Sequence, residues 1–391
     1  MENGKVDYRR LLALAELPSL SKPQSRAVMG FDGFVDKIVR VRRDRSTDSG
    51  EDALTDRHYK TLAEFVRFLG SKDGLSFSVE LETQEEKKGG NMPLTANALG
   101  SLGVEVHCLG ALGAAGVVDA RFASMSDNCV LYPIVDPGWC LAMEFVNTKL
   151  MVYDNHRLNF MNWNLIKNAL GLGKIIDIFE QSELIGLFNW SEVRNSQDIW
   201  DGLISEVLPL LSRKADRNVF IDVSDCTGRK PEDIRTLSRT ITGLARSSPV
   251  TLSMNENEFL HLYTVLTGRP LGEERIGKER CMGLFPEMRE KIPGVSLILH
   301  LADSALSMDA DGTPLYIPGR FVENPAILIG GGDNFNAGFC FGLLNGEDVG
   351  GCMALAGAVG SYYVEFGRSP DRKELYSYLA RTLELACGGA S

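Results

Sequence analysis

The chain has 391 residues, 44% of them hydrophobic and 24% charged, with a formal net charge of −11. That length buries a large core in one α/β domain or in two smaller ones, and the acidic balance excludes nucleic acid or an anionic membrane as a working partner, since either needs basic stripes. Eight cysteines, at positions 108, 129, 140, 226, 281, 340, 352 and 387, include no C-x-x-C pair and no zinc spacing, which predicts reduced thiols and a cytoplasmic location.

Residues 1–20 have the amphipathic pattern of a helix but no apolar core of signal-peptide length, and no later run is long enough to span a bilayer. Arg26 to Phe31 reads as a first strand, and Asp32 and Asp36 follow it. In open α/β sheets ligands bind beyond the carboxyl ends of strands, where a carboxylate can hold two hydroxyls of a polyol; a turn role is the alternative for either residue. The basic cluster from Arg40 to Arg45 is expected to be a solvated face. A helical pattern covers Tyr59 to Leu69, and Phe77 to Glu82 alternates apolar and polar residues as a half-exposed strand does. With strands expected at 140–147 and 149–154, it predicts a small β lid built from segments at about 37–88 and 129–160. The rest of the 391 residues is expected to form one domain around it.

Gly89-Gly90-Asn91 opens a helix that carries Ala96, Leu99 and Leu102 near one face and ends at Gly103. Strands are then expected at Val104–Leu109, Leu184–Phe188, Val219–Val223, Val250–Met254 and Val295–His300, with helices between the last four. Regular βα alternation predicts a three-layer α/β/α, doubly wound and mostly parallel sheet. Asp222 ends one strand, and Asn255 with Glu258 three residues on has the form of a capping box at the start of a helix.

Near the C-terminus an apolar run, Ala326 to Ile329, expected as a short strand, leads into Gly330-Gly331-Gly332-Asp333. Phe335, Phe339 and Leu343 follow at a spacing of four. The glycines therefore sit at a helix N-terminus, where free N–H groups and the helix dipole favour an anion such as phosphate. Asp333 in the first turn opposes that anion, which makes sense if it is a general base that deprotonates an attacking hydroxyl; a plain capping role is the alternative.

This stretch resembles the second signature of the ribokinase-like (PfkB-type) carbohydrate kinases, D-T-x-G-A-G-D-x-F-x-x-G. Gly330, Gly331, Gly332, Asp333, Phe335 and Gly338 fall on its positions, while Ile327 and Leu328 stand where the family has D-T. Gly89 to Gly103 resembles the first signature, G-G-x-x-x-N-x-A-x-x-L-x-x-L-G, with Leu94 in place of the asparagine. The resemblance implies a sugar kinase that transfers the γ-phosphoryl of ATP to a hydroxymethyl group of a sugar or related polyol. Asp333 is then the base and Gly330 to Gly332 the anion hole. Asp36, with Asp32 as its rival, holds the sugar together with Gly89, Gly90 and Asn91. It further implies that Asn255, Glu258 and Asp222 arrange Mg²⁺ and the phosphates, Glu258 acting through water. The family's nucleotide loop, T-x-G-x-x-G, corresponds to the stretch with His300 and Ala302 in place of its first Thr and Gly. A missing D-T puts a monovalent-cation site in doubt, and pairing of lids between subunits implies a homodimer. The alternative expectation is a catalytically impaired relative that binds a sugar or nucleoside as a sensor.

Overall fold

Strand β1 (Arg26–Phe31) lies inside a nine-stranded sheet because its side chains are apolar on both faces, as a strand covered by helices on both sides requires. In the computed structural model of the protein, residues 25–43, 57–146, 148–212, 217–271, 277–320, 322–327 and 329–388 are described. The expected N-terminal helix, Arg45 and Leu328 lie outside them.

After β1 come β2 (Phe34–Val41), helix α1 (Leu62–Ser71), β3 (Leu81–Gly89), α2 (Asn91–Ser101) and β4 (Glu105–Gly110). The two-residue strands β5 (Gly113–Ala114) and β6 (Val117–Val118) form a hairpin, followed by β7 (Cys129–Pro133), β8 (Gly138–Glu144) and β9 (Lys149–Asp154). Helices α3 (Trp163–Leu170) and α4 (Leu172–Gln181) precede β10 (Leu184–Phe188), and α5 (Ser196–Gly202) precedes β11 (Asn218–Asp222). Then come α6 (Pro231–Leu244), β12 (Val250–Met254), α7 (Glu256–Thr267), α8 (Gly277–Lys291), β13 (Val295–His300), β14 (Ser304–Met308) and β15 (Pro314–Pro318). Helices α9 (Gly331–Leu344), α10 (Val349–Phe366) and α11 (Arg372–Gly388) close the described chain.

The large sheet has the order β15-β14-β13-β12-β11-β10-β1-β4-β7, parallel from β13 to β7, with β14 and β15 added antiparallel at one edge. One core joins side chains such as Val28, Ile185, Ile221 and Leu252 to α3, α4, α6, α7 and α8. A second joins Ala27, Met29, Phe188 and Phe220 to α2, α9, α10 and α11 on the opposite face. The expected three layers are therefore present. Because β1 is flanked by both β10 and β4, the strand order reverses there, and a crevice opens beyond the carboxyl ends of these strands.

A second sheet, β3-β2-β8-β9, stands beside the large one. Its strands differ in part from expectation. The apolar alternation at Phe77–Glu82 marks a strand only from Leu81 onward; Phe77 is exposed and meets Phe68 edge-on. The strand itself is the charged stretch LETQEEKKG, paired antiparallel with β2. As a sheet edge it is kept polar, which hides it from period-two reading. Strand β2, buried over most of its length, packs through Val41 with Phe65 of α1 and Phe145. Likewise, the strand expected over Ala326–Ile329 is absent among the described residues. The N–H groups of Ala326 and Ile327 donate instead to the carbonyl of Val364 near the end of α10, at 2.9 and 3.4 Å, so no ladder partner is needed.

Candidate active site

Four turns at the carboxyl ends of the central strands carry the polar residues of the crevice. Asp32 directly follows β1, Asn189 follows β10, Asp222 ends β11 and Asn255 follows β12. Helix α9 enters the same region with its N-terminus.

Asp32 is fully buried and caps α2. Its Oδ2 accepts the N–H of Asn91 at 2.8 Å and the side-chain amide of Asn189 at 3.0 Å, while Oδ1 accepts the N–H of Met92 at 2.9 Å. Gly90, the residue before the helix, has φ of 95°, and a Cβ there would lie 2.6 Å from Asp32 Oδ2. Only glycine serves both demands. Burial pushes Asp32 up to about 6 against those hydrogen bonds.

Asp36 differs. It sits on β2 with Lys87 and Cys140 as register partners, and its carboxyl accepts no hydrogen bond from a described residue. A Cβ at Gly89 would lie 2.3 Å from Asp36 Oδ1, so the glycine leaves the carboxylate its space. Burial raises it to about 6, opposed by the charges of Lys87 and Lys149. Tyr153 of β9 pairs with Cys140, and Asn155 just beyond donates to Glu192 on the loop after β10, which ties the end of the small sheet to the large domain.

Across the crevice, Gly330 has φ of 94° and precedes α9. The first hydrogen bond of the helix runs from the Asn334 N–H to the Gly330 carbonyl at 3.0 Å, so the N–H groups of Gly331, Gly332 and Asp333 have no partner in the helix. Each glycine is crowded by a different side chain: a Cβ would meet Tyr363 at Gly330, Val364 at Gly331 and His300 at Gly332, each at 3.0 Å. Burial lowers His300 to about 4, so its imidazole is neutral; it lies 5.3 Å, ring to ring, from Phe335.

Asp333, partly exposed in the first turn of α9, makes no side-chain hydrogen bond to a described residue. Enclosure of its carboxyl raises its pKa well above the usual carboxylate range, and the charges of Asp222, Asp32, Asp36 and Glu258 raise it further. Asp222 is held by the Ser224 N–H at 2.9 Å and by the Asn336 amide at 2.6 Å, and Asn336 in turn accepts from Ser253 Oγ at 2.7 Å. This buried chain fixes α9 against β11 and β12. Burial brings Asp222 to about 6.

Glu258 and Asn255 form a complete capping box: the Glu258 N–H donates to Asn255 Oδ1 at 3.0 Å, and the Asn255 N–H donates to Glu258 Oε2 at 2.9 Å. The Asn255 amide also reaches Glu258 Oε1 at 2.7 Å. Burial first, then the neighbouring Asp222, pushes Glu258 up to about 8.

The fold thus brings Asp32, Asp36, Asp222 and Glu258 close enough to Asp333 for their charges to act on it, while burial is the main cause that raises all five carboxyls. Ala302 stands apart, exposed in the tight turn between β13 and β14, which is closed by the Leu301 N–H on the Ser304 carbonyl at 2.8 Å. Sequence reading passed over Asn189, Asn336 and Tyr363. Asn336 lies three residues after Asp333, on the same helix face, and Asn189 directly follows a strand, so both had a positional signal; Tyr363 had none.

Among the described residues no helix is long and apolar enough to cross a membrane. The solved structures similar to this chain include the ribokinase of Cryptococcus neoformans var. grubii serotype A in complex with ADP, with a TM-score of 0.62 and 16% identity over 92% of this chain and 100% of that one. The ribokinase of Arabidopsis thaliana complexed with ribose and ATP matches with a TM-score of 0.57 and 16% identity, covering 92% and 99%. At such identity these likenesses establish the ribokinase fold. The ketohexokinase of Haloferax volcanii is 26% identical over 364 residues, 92% of each chain. A family model described as prokaryotic ketohexokinase matches residues 9–381, and the chain accordingly belongs to that family of ATP-dependent sugar kinases.

Proposed function

We propose that the protein transfers the γ-phosphoryl of ATP to a hydroxymethyl group of a ketohexose, with Asp333 as general base. Two observations support this reading: Asp333 lies in the first turn of α9 beside N–H groups that have no helix partner, and it is close enough to Asp36, whose carboxyl accepts no hydrogen bond from a described residue, for that charge to act on it. In this scheme Asp36, Gly89, Gly90 and Asn91 hold the acceptor, while Asp32 shapes that pocket by capping α2. Asp333 takes the hydroxyl proton as the oxygen attacks phosphorus, and the N–H groups at Gly330 to Gly332 face the charge on the transferred phosphoryl. The small sheet β3-β2-β8-β9 acts as the lid that excludes water.

Asp222 and Glu258 are the residues that fit Mg²⁺, because two buried carboxylates held at raised pKa are neutralised by a cation. Among the described residues no group of three or more His, Cys, Asp or Glu is arranged to hold a metal by itself, which suits an ion bound largely through phosphates and water. Bound there, Mg²⁺ would neutralise the phosphate charge. His300 and Ala302 belong to the donor side in this reading, His300 as a neutral wall of the anion hole. The catalytically impaired sensor has no observation in its favour. Homodimerisation through the lid and a cytoplasmic location are retained as parts of the proposal.

The test is coupled ADP release with Mg-ATP over a panel of ketohexoses, aldohexoses, pentoses and nucleosides, with Asp333→Asn as the control. Turnover that depends on a ketohexose and is lost in the variant supports the reading. Turnover with a nucleoside or pentose in preference to every ketohexose refutes the assigned acceptor.

A further inference from the structure

Helix α10 contains no residue of either signature, yet it delivers one polar group to the crevice. Tyr363 is 7% exposed, and among the described residues its hydroxyl has no hydrogen-bond partner. A tyrosine whose ring is buried usually turns its hydroxyl to a partner, and one without a protein partner is open to a ligand or to water. This one lies 3.0 Å from the position of a Cβ on Gly330, at the mouth of the anion hole. It stands close enough to Asp333 of α9, Asp36 of β2 and Glu85 of β3 for their charges to act on it, and burial together with those charges keeps the phenol neutral.

Its backbone is firmly placed. The Tyr363 carbonyl accepts the Gly367 N–H at 2.8 Å, and the next carbonyl, that of Val364, accepts the N–H groups of Ala326 and Ile327. The ring is therefore carried by a fixed helix end beside Gly330, within range of charges from both α9 and the small sheet.

We propose that Tyr363 contacts the substrate, its hydroxyl donating a hydrogen bond to an oxygen of the bound sugar held between Asp333 and Asp36. This rests on the reading in which those two carboxylates flank the acceptor. The chemistry favours such a donor: ionised carboxylates only accept, so they serve sugar hydroxyls but cannot serve a sugar oxygen that carries no hydrogen, such as a ketose ring oxygen. A neutral phenol supplies a donor on the Asp333 side of the acceptor, opposite Gly89, Gly90 and Asn91 in this reading, and the free pair of the hydroxyl oxygen remains available to a neighbouring sugar hydroxyl.

The experiment is Tyr363→Phe, which keeps the ring and its packing, with Tyr362→Phe as the control; Tyr362 packs on Phe366 and Tyr378. Loss of one neutral hydrogen bond to the ligand is expected to raise the acceptor KM about 10-fold. The KM for ATP and the melting temperature should remain those of the parent protein. Calorimetric titration with the preferred ketohexose, in an Asp333→Asn background that cannot turn over, should show the same loss of affinity. Unchanged sugar affinity overturns the proposal, as does a rise confined to the KM for ATP. Should Asp333→Asn remain fully active, the assignment of the base fails, while the sugar affinity of Tyr363→Phe still decides the role of Tyr363.

Discussion

Asp32 and Met92 are joined across 60 residues of sequence by a hydrogen bond of 2.9 Å from the Met92 N–H to the carboxylate. This contact, with its companion from Asn91, separates two aspartates that look alike in the sequence. One holds a helix in place; the other, Asp36, accepts no hydrogen bond from a described residue and in the proposed reading meets the sugar. Asp32→Ala would leave two helix N–H groups and the Asn189 amide without a partner. It should destabilise the protein by about 1–3 kcal/mol, seen as a lowered melting temperature. Asp36→Asn should keep the melting temperature and raise the acceptor KM by on the order of 10-fold. The reverse pattern would exchange their roles.

Removal of the proposed base should leave the fold intact. Asp333→Asn is expected to cut kcat by on the order of 10² to 10⁴, with circular dichroism and melting behaviour preserved. A kcat equal to that of the parent enzyme would take Asp333 out of the mechanism.

Activity should also depend on pH in a direction set by the environment of Asp333. Enclosure and four neighbouring carboxylates raise its pKa, and only the deprotonated form accepts a proton. Turnover should therefore rise with pH along an acid limb that lies above the ordinary carboxylate value of about 4. A kcat profile flat down to about pH 4.5 would contradict this.

Stability of the ligand-free protein should run the other way. Glu258 is brought to about 8 by burial and by Asp222, so its protonated form is favoured by folding. Its contribution is complete below the unfolded value of about 4.3 and is lost as pH rises through about 8. Melting temperature in the absence of nucleotide should fall over that window. Glu258→Gln, which can still serve the capping box, should flatten the fall; a slope identical to that of the parent would show that Glu258 is not its source.

His300 and Gly332 should be coupled. A Cβ at Gly332 meets His300 Cε1 at 3.0 Å, so Gly332→Ala should press on the imidazole and spoil the anion hole, lowering kcat/KM for ATP about 10-fold. His300→Ala in that background should recover part of the loss, and a double-mutant cycle measures the coupling. Strictly additive effects would mean that the ring and the helix N-terminus do not communicate.

Residues near in sequence made much of this architecture legible. Apolar runs at Leu184–Phe188, Val250–Met254 and Val295–His300 became strands of that length, because a strand covered on both faces must be apolar throughout. Gly330 to Asp333 marked the helix start, and Asn255 with Glu258 the capping box, since both are local hydrogen-bond patterns written within a few residues. Other features were decided only when distant segments met. The charged β3 is a strand because β2 offers it a ladder partner, and in the run before Gly330 the described Ala326 and Ile327 donate to the carbonyl of Val364 instead of to a strand. Which aspartate caps a helix and which does not, the burial and then the repulsion that raise Asp333, and the arrival of Tyr363 beside Gly330 all depend on through-space distances. Burial and charge act over ångströms regardless of position along the chain, and no local pattern of residues encodes them.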